Sequence, residues 1–153
     1  MRRCVIRLLV VALTVFAFSA NAATGRVSKV LPHFLDLKGR HTLSPSLYDR
    51  DAYQAQLRAN PDQRSGLRFD VYWRARAVPG TIVKIRVELR GAAKGDLPSQ
   101  HTLETEIKAS ATSRWTSLAL LGEDYTKFGE VTAWRVTLWD GEQLVGEQKS
   151  FLW

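Results

Sequence analysis

The stretch LRFDVYWRAR, Leu67 to Arg76, alternates without a break. Leu67, Phe69, Val71, Trp73 and Ala75 fall on one side, and Arg68, Asp70, Tyr72, Arg74 and Arg76 on the other. Successive side chains of an extended chain point to opposite faces, so this period of two predicts a strand with one face on a core and one in water. A second run of the same kind follows: Val83, Ile85, Val87 and Leu89 oppose Lys84, Arg86, Glu88 and Arg90. Pro79-Gly80 lies between them. Pro presets φ at the second position of a turn, and Gly accepts the positive φ of the third. The expected arrangement is an antiparallel pair joined by that turn.

Working outward, Thr132, Trp134, Val136 and Leu138 oppose Ala133, Arg135, Thr137 and Trp139, and Asp140-Gly141 fits a two-residue hairpin turn. Leu144 to Trp153 returns as a last strand with no single inward phase. Shorter strands are expected from His101 to Ala109, with Leu103 and Ile107 inward, and from Trp115 to Leu121, with Leu118 and Leu120 inward. Val27 to Leu37 is a further candidate, with Leu31, Leu35 and Leu37 in phase. One segment breaks the pattern. Ser46 as a cap and Asp49 in the first turn predict a helix from Leu47 to about Ala59, stopped by Asn60-Pro61 and crossing the end or edge of a sheet. The stretch from Arg90 to Pro98 and the one from Gly122 to Gly129, which carries Tyr125 and Phe128, read as loops.

The beginning of the chain reads differently. Arg2, Arg3 and Arg7 precede an apolar run from Leu8 to Phe18, broken only by Thr14, and Ala20-Asn21-Ala22 supplies small residues at the spacing of a cleavage site. This predicts a signal peptide over residues 1–22 and a single domain over 23–153, exported to the periplasm or secreted. The run is short of the roughly 20 apolar residues that cross a bilayer. Cys4 precedes the run, whereas a lipid-anchored Cys follows it. Without the leader's three arginines the net charge of +7 falls to +4, from 19 basic and 15 acidic residues, and no Cys is left. Thiolate nucleophiles, Cys-ligated zinc and disulfide scaffolds are thereby excluded from the exported part.

Some seven short strands, turn signals between them and one helical connection predict an all-β, antiparallel β-sandwich with one short helical insertion. The pattern resembles the immunoglobulin-like or fibronectin-like sandwiches of many exported bacterial proteins, without the core cysteines of antibody domains. Asp124-Tyr125 resembles a tyrosine corner, but lies farther ahead of the next strand than that motif does. A membrane barrel shares the alternation and a C-terminal aromatic, here Trp153. The helical insertion, the short middle strands and the scarcity of aromatics at strand ends count against it.

Chemistry-bearing motifs are sparse. His33, Asp36 and His41 match no compact metal-ligand spacing, and on a strand His33 and Asp36 point to opposite faces. No Ser sits in a Gly-x-Ser-x-Gly or Ser-x-x-Lys pattern, and there is no phosphate loop or dinucleotide fingerprint. Glu104 and Glu106 share a strand face as a glycosidase pair could, yet they lie opposite inward Leu103 and Ile107 and read as a solvated face. No catalytic residue, metal ligand or cofactor is assigned.

Binding candidates are of two kinds. Tyr72 and Trp139 lie on polar phases, and Tyr125 and Phe128 on a loop, where aromatic faces can stack on sugar rings. Arg74, Lys84 and Arg86 are expected to cluster if the two first strands pair, forming a basic patch for envelope polyanions. The expected function is a non-catalytic binding or assembly module, foremost for an envelope or extracellular protein. The alternatives are a carbohydrate or polyanion binder, with anionic polysaccharide or lipid as partner, and a small secreted hydrolase with dispersed residues. Nucleic acid is not expected as a partner of an exported chain.

Overall fold

A computed structural model describes residues 23–153, and the expected leader, residues 1–22, lies outside the described residues. The alternating runs form strands because each has one apolar side to bury. In chain order the elements are β1 (Thr24–Asp36), α1 (Leu47–Ala59), β2 (Arg64–Arg76), β3 (Ile82–Ala93), β4 (Leu97–Lys108), β5 (Arg114–Leu121), α2 (Gly122–Phe128), β6 (Glu130–Asp140) and β7 (Gln143–Lys149). The strands group into two antiparallel sheets, β1-β2-β5 and β4-β3-β6-β7. Their inner faces share one apolar core, so the fold is a β-sandwich with a helical insertion.

The expected pairing of β2 with β3 does not occur. Thr81 N–H donates to Val78 C=O at 3.1 Å and Gly80 takes φ +89°, so the turn forms. It carries the chain from one sheet to the other instead of folding it back in the same sheet. Five residues, 77–81, separate the strands. That is longer than a tight hairpin loop and long enough to cross the ~10 Å between packed sheets. The apolar sides of β2 and β3 therefore face each other across the core. Leu67, Phe69, Val71, Trp73 and Ala75 are buried, as are Val83, Ile85, Val87 and Leu89. Trp73 Nε1 donates to Thr116 Oγ1 at 2.8 Å, which satisfies the one polar atom this side chain brings inside.

Two bulges shift phases that look regular in the sequence. On β6 the register steps from Ala133 opposite Arg90 to Val131 opposite Gly91, and Thr132 is the extra residue. Val136 and Leu138 are buried as expected and Trp134 packs half-buried against the core on the same side, but Thr132 is exposed and Ala133, expected on the outer side, is buried. On β1 the register skips Ser28. Val27 and Val30 reach the core, whereas Leu31 and Leu37 are exposed and only Leu35 of the expected three is buried.

Helix α1 begins and ends as read from the sequence. Asp49 N–H donates to Ser46 Oγ at 3.4 Å, and Asn60 closes the last turn on Gln56 C=O. The helix packs on β1, an edge strand, and buries Leu57 and Gln54. Gln54 accepts from Phe34 N–H at 2.8 Å and donates to Phe34 C=O at 2.9 Å and His41 C=O at 2.7 Å. A side-chain amide thus stands where a neighbouring strand would, and caps one point of an otherwise open edge. Near its start, β1 instead closes against β7. A Cβ on Gly25 would lie 2.9 Å from Leu138 Cδ2 and Val145 Cγ2, and one on Gly146 would lie 3.1 Å from Arg26 Cα. Only glycine permits that approach.

Four local expectations are corrected. The Arg90–Pro98 stretch is mostly strand, with Lys94–Asp96 alone as its turn. Gly122–Phe128 is a short helix, not a loop. The β6–β7 hairpin closes at Asp140 opposite Gln143, so its loop is Gly141-Glu142. Strand β7 ends at Lys149, and Phe151 and Leu152 beyond it are exposed.

Candidate binding face

The sandwich separates the residues expected to form one basic patch. Lys84, Arg86 and Trp139 lie on the outer side of the four-stranded sheet, and Tyr72 and Arg74 on the outer side of the three-stranded sheet. Arg74 therefore cannot cluster with Lys84 and Arg86. Phe128 on α2 belongs to the core at 4% exposure, and Tyr125 is half-buried against that core, so these two do not form an exposed aromatic loop.

On the four-stranded sheet, cations meet carboxylates in register. Glu104 takes Arg86 Nε at 2.5 Å and Lys84 Nζ at 3.7 Å. Arg135 lies 2.9 Å from Glu147 and 3.9 Å from Glu88, and Lys149 lies 4.0 Å from Glu147. Trp139 donates from Nε1 to Thr137 Oγ1 at 2.8 Å and sits 5.5 Å from the Arg86 guanidinium, which leans over its ring. This side is a web of cross-strand ion pairs.

The three-stranded sheet is built otherwise. Arg26 stands directly opposite Arg74, Thr24 opposite Arg76, and Lys29 opposite Tyr72. Arg26, Lys29, Arg74 and Arg76 are all exposed. Among the described residues no carboxylate lies within ion-pair distance of any of the four. Three of them, Arg26, Arg74 and Arg76, line a cleft of about 280 Å³. Beside this cleft, Tyr72 and Trp115 are cross-strand partners with ring centroids 4.9 Å apart and planes tilted by 33°. Trp115 is 50% exposed.

A second cleft of about 280 Å³ opens beyond Trp115, lined also by His33, His41, Arg50, Arg68, Asp70 and Ser117. Asp70 is its one acid, and that carboxylate is fully engaged. Arg68 grips it through Nε at 2.8 Å and a terminal nitrogen at 2.7 Å, and Ser117 Oγ donates to it at 2.5 Å. Burial works against the charged form, but Arg68 and Ser117 outweigh it and hold Asp70 below the usual carboxylate range. His33 Nε2 lies 3.6 Å from Asp70, and the His33 and His41 rings are 5.2 Å apart. Burial lowers the pKa of both histidines; Asp70 opposes this, while Arg50 and Arg68 reinforce it.

The expectation that His33 and Asp36 diverge holds. Asp36 turns to the loop that follows β1, where it accepts from the amides of Lys38 and Arg40, the Arg40 guanidinium and the Tyr53 hydroxyl. These bonds outweigh its burial and keep it well below the usual carboxylate range. Among the described residues no group of three or more His, Cys, Asp or Glu side chains is placed to hold a metal ion. Nor is any helix among them long and apolar enough to cross a membrane.

Arg26, Lys29 and Trp115 carry this face and were not singled out as binding residues from the sequence. Arg26 and Lys29 straddle the bulge at Ser28, so their shared face is hidden in the spacing. Trp115 opens a short strand whose phase only Leu118 and Leu120 define.

No family model matches the chain, and no curated protein matches it. Among solved structures, a crystal structure of a protein from Akkermansia muciniphila is similar, with a TM-score of 0.50, 9% identity, and coverage of 87% of this chain and 73% of that one. The likeness is one of β-rich fold alone.

Proposed function

We propose that this chain is an exported, non-catalytic binding module of the cell envelope or exterior, and that it takes an anionic partner on the outer side of β1-β2-β5. One observation carries the reading: Arg26, Lys29, Arg74 and Arg76 share one sheet face, and among the described residues no carboxylate lies within ion-pair distance of them. Like charges placed opposite one another on neighbouring strands repel, and an anion relieves that repulsion. Export rests on the leader-like composition of residues 1–22. The division into β1-β2-β5 and β4-β3-β6-β7 supports an immunoglobulin-like or fibronectin-like module.

The geometry speaks against a serine hydrolase where Ser117, His33 and Asp70 meet. Ser117 donates to Asp70 and His33 also approaches Asp70, so the acid stands between them. A serine nucleophile needs the imidazole as its direct partner. A protein partner is the second reading, favoured by Tyr72, Trp115 and the arginines, the residue types that anchor interfaces.

The test is retention on a sulfated-polymer resin. Binding is expected at low ionic strength and is lost as salt rises, since the screening length is only about 8 Å at physiological strength. Failure to bind at low salt contradicts the reading.

A further inference from the structure

We infer that the anion arrives on a sugar chain: this face is a site for an acidic oligosaccharide, with a ring stacked on Trp115 and carboxylate or sulfate groups on Arg26, Arg74 and Arg76. The inference rests on the anionic-partner reading above and adds the ligand's class. Charge alone would not require an aromatic platform. Trp115 is half-exposed on this sheet face, and Arg50 of α1 lines the cleft beyond it. Tyr72 lies 4.9 Å away, tilted by 33°, beside an indole that remains half-exposed. An aromatic face beside polar groups suits the apolar face of a sugar ring and its rim of hydroxyls.

The spacing places both functions within one ligand. Outward residues on one strand are ~7 Å apart and neighbouring strands ~5 Å apart. Arg74 is one step from Tyr72 and Arg76 two, with Arg26 across the strand from Arg74. On the other side of Trp115, Arg50 and His41 offer donors to hydroxyls of further rings. The platform thus stands between a cationic cleft and a hydrogen-bonding cleft, as a linear, unevenly charged ligand would require.

Size separates a glycan from a folded protein. From Arg76 to Arg68 the face runs four outward steps, roughly 27 Å, and its three strands span roughly 10 Å. That is some 300 Å², under half of the ~800 Å² a stable protein partner covers. A narrow strip with clefts at both ends fits an extended oligomer.

Calorimetry distinguishes these sources. The probes are oligogalacturonate, a sulfated oligosaccharide, an uncharged oligosaccharide of equal length, inorganic tripolyphosphate and phosphatidylglycerol vesicles. The acidic oligosaccharides are expected to bind more tightly than the other three. Trp115→Ala should weaken them about tenfold, the loss expected for one stacked ring, while tripolyphosphate binding stays within about twofold. Trp115→Phe should restore most of the loss, and circular dichroism checks that each variant is folded. Oligosaccharide binding unchanged in Trp115→Ala overturns the inference. So does tighter binding of vesicles or tripolyphosphate, although the anionic-partner reading then stands. If no anion binds at low salt, that reading fails as well.

Discussion

The two sheets of this sandwich present outer faces made from similar sequence whose charges are paired differently. On β3, Lys84 and Arg86 share Glu104 from β4, and Arg135 on β6 lies between Glu88 and Glu147. On β2, Arg74 and Arg76 point outward with the same period, but their neighbours across the strand are Arg26 and Thr24. One face neutralises itself, and on the other Arg26, Lys29, Arg74 and Arg76 have no carboxylate among the described residues within ion-pair distance. The difference lies in which strand sits alongside, not in the strand's own residues. A basic run says where positive charge points; only the neighbouring strand says whether it is spent.

The largest effect that bears on this comparison is beneath both faces. Trp73→Ala should cost about 3–5 kcal/mol, read from the midpoint of a denaturant titration at unchanged slope. Trp73 has no exposed surface and fills the core under the three-stranded sheet. Trp134, its counterpart on the four-stranded sheet, is half-buried, so Trp134→Ala should cost roughly half as much. Equal losses would mean that Trp134 is buried as fully as Trp73.

A smaller effect belongs to the three-stranded face alone. His33 and His41 have lowered folded-state pKa values, chiefly from burial. The unfolded chain therefore takes up protons first, and stability should fall as pH drops below about 6.5. The loss ends once pH passes below the folded values. His33→Gln with His41→Gln should flatten that part of a stability–pH curve. The held-down carboxylates of Asp36 and Asp70 act later, their contribution being lost only as pH falls from about 4 downward. A curve unchanged by the double substitution would contradict the burial of this pair.

Smaller still is the stability effect of Glu104→Gln, about 0.5–1 kcal/mol, because Lys84, Arg86 and Glu104 are all about a third exposed and water screens them. Its value lies in function: Glu104→Gln with Glu147→Gln should give the four-stranded face a new affinity for tripolyphosphate. No gain would mean that ion pairing is not what keeps this face silent. At the bottom of the scale, Arg74→Glu should change stability by less than about 0.5 kcal/mol, since the side chain is exposed and unpaired.

The strands and the helix were legible because their signals are local. Period two marked β2 and β3, and Ser46 with Asn60-Pro61 bracketed α1 to the residue. Sheet membership was not legible. The turn at Pro79-Gly80 looks the same whether it joins two strands of one sheet or crosses to another, and the five-residue link was the only hint. Phases across a bulge were lost too: at Ser28 one extra residue moves the following side chains of β1 to the other face, and at Thr132 the bulge separates Glu130 and Val131 from the regular phase that begins at Ala133. The candidate site suffered most. It is assembled from β1, β2 and β5: Tyr72 and Arg74 were read as binding residues and Arg68 and Arg76 as outward cations of β2, but the cations were placed with those of β3, and Arg26, Lys29 and Trp115 were not read as part of a site.

The central claim is that the free cations of the three-stranded face, not the paired ones of the four-stranded face, bind anions. The direct measurement is the dissociation constant for oligogalacturonate at low salt for three proteins: wild type, R26E/R74E/R76E and K84E/R86E. The first variant should lose binding by at least about tenfold, while the second stays within about twofold of wild type, with both melting near the wild-type temperature. Equal losses in the two variants, or a greater loss in K84E/R86E, would contradict the assignment of the site to β1-β2-β5.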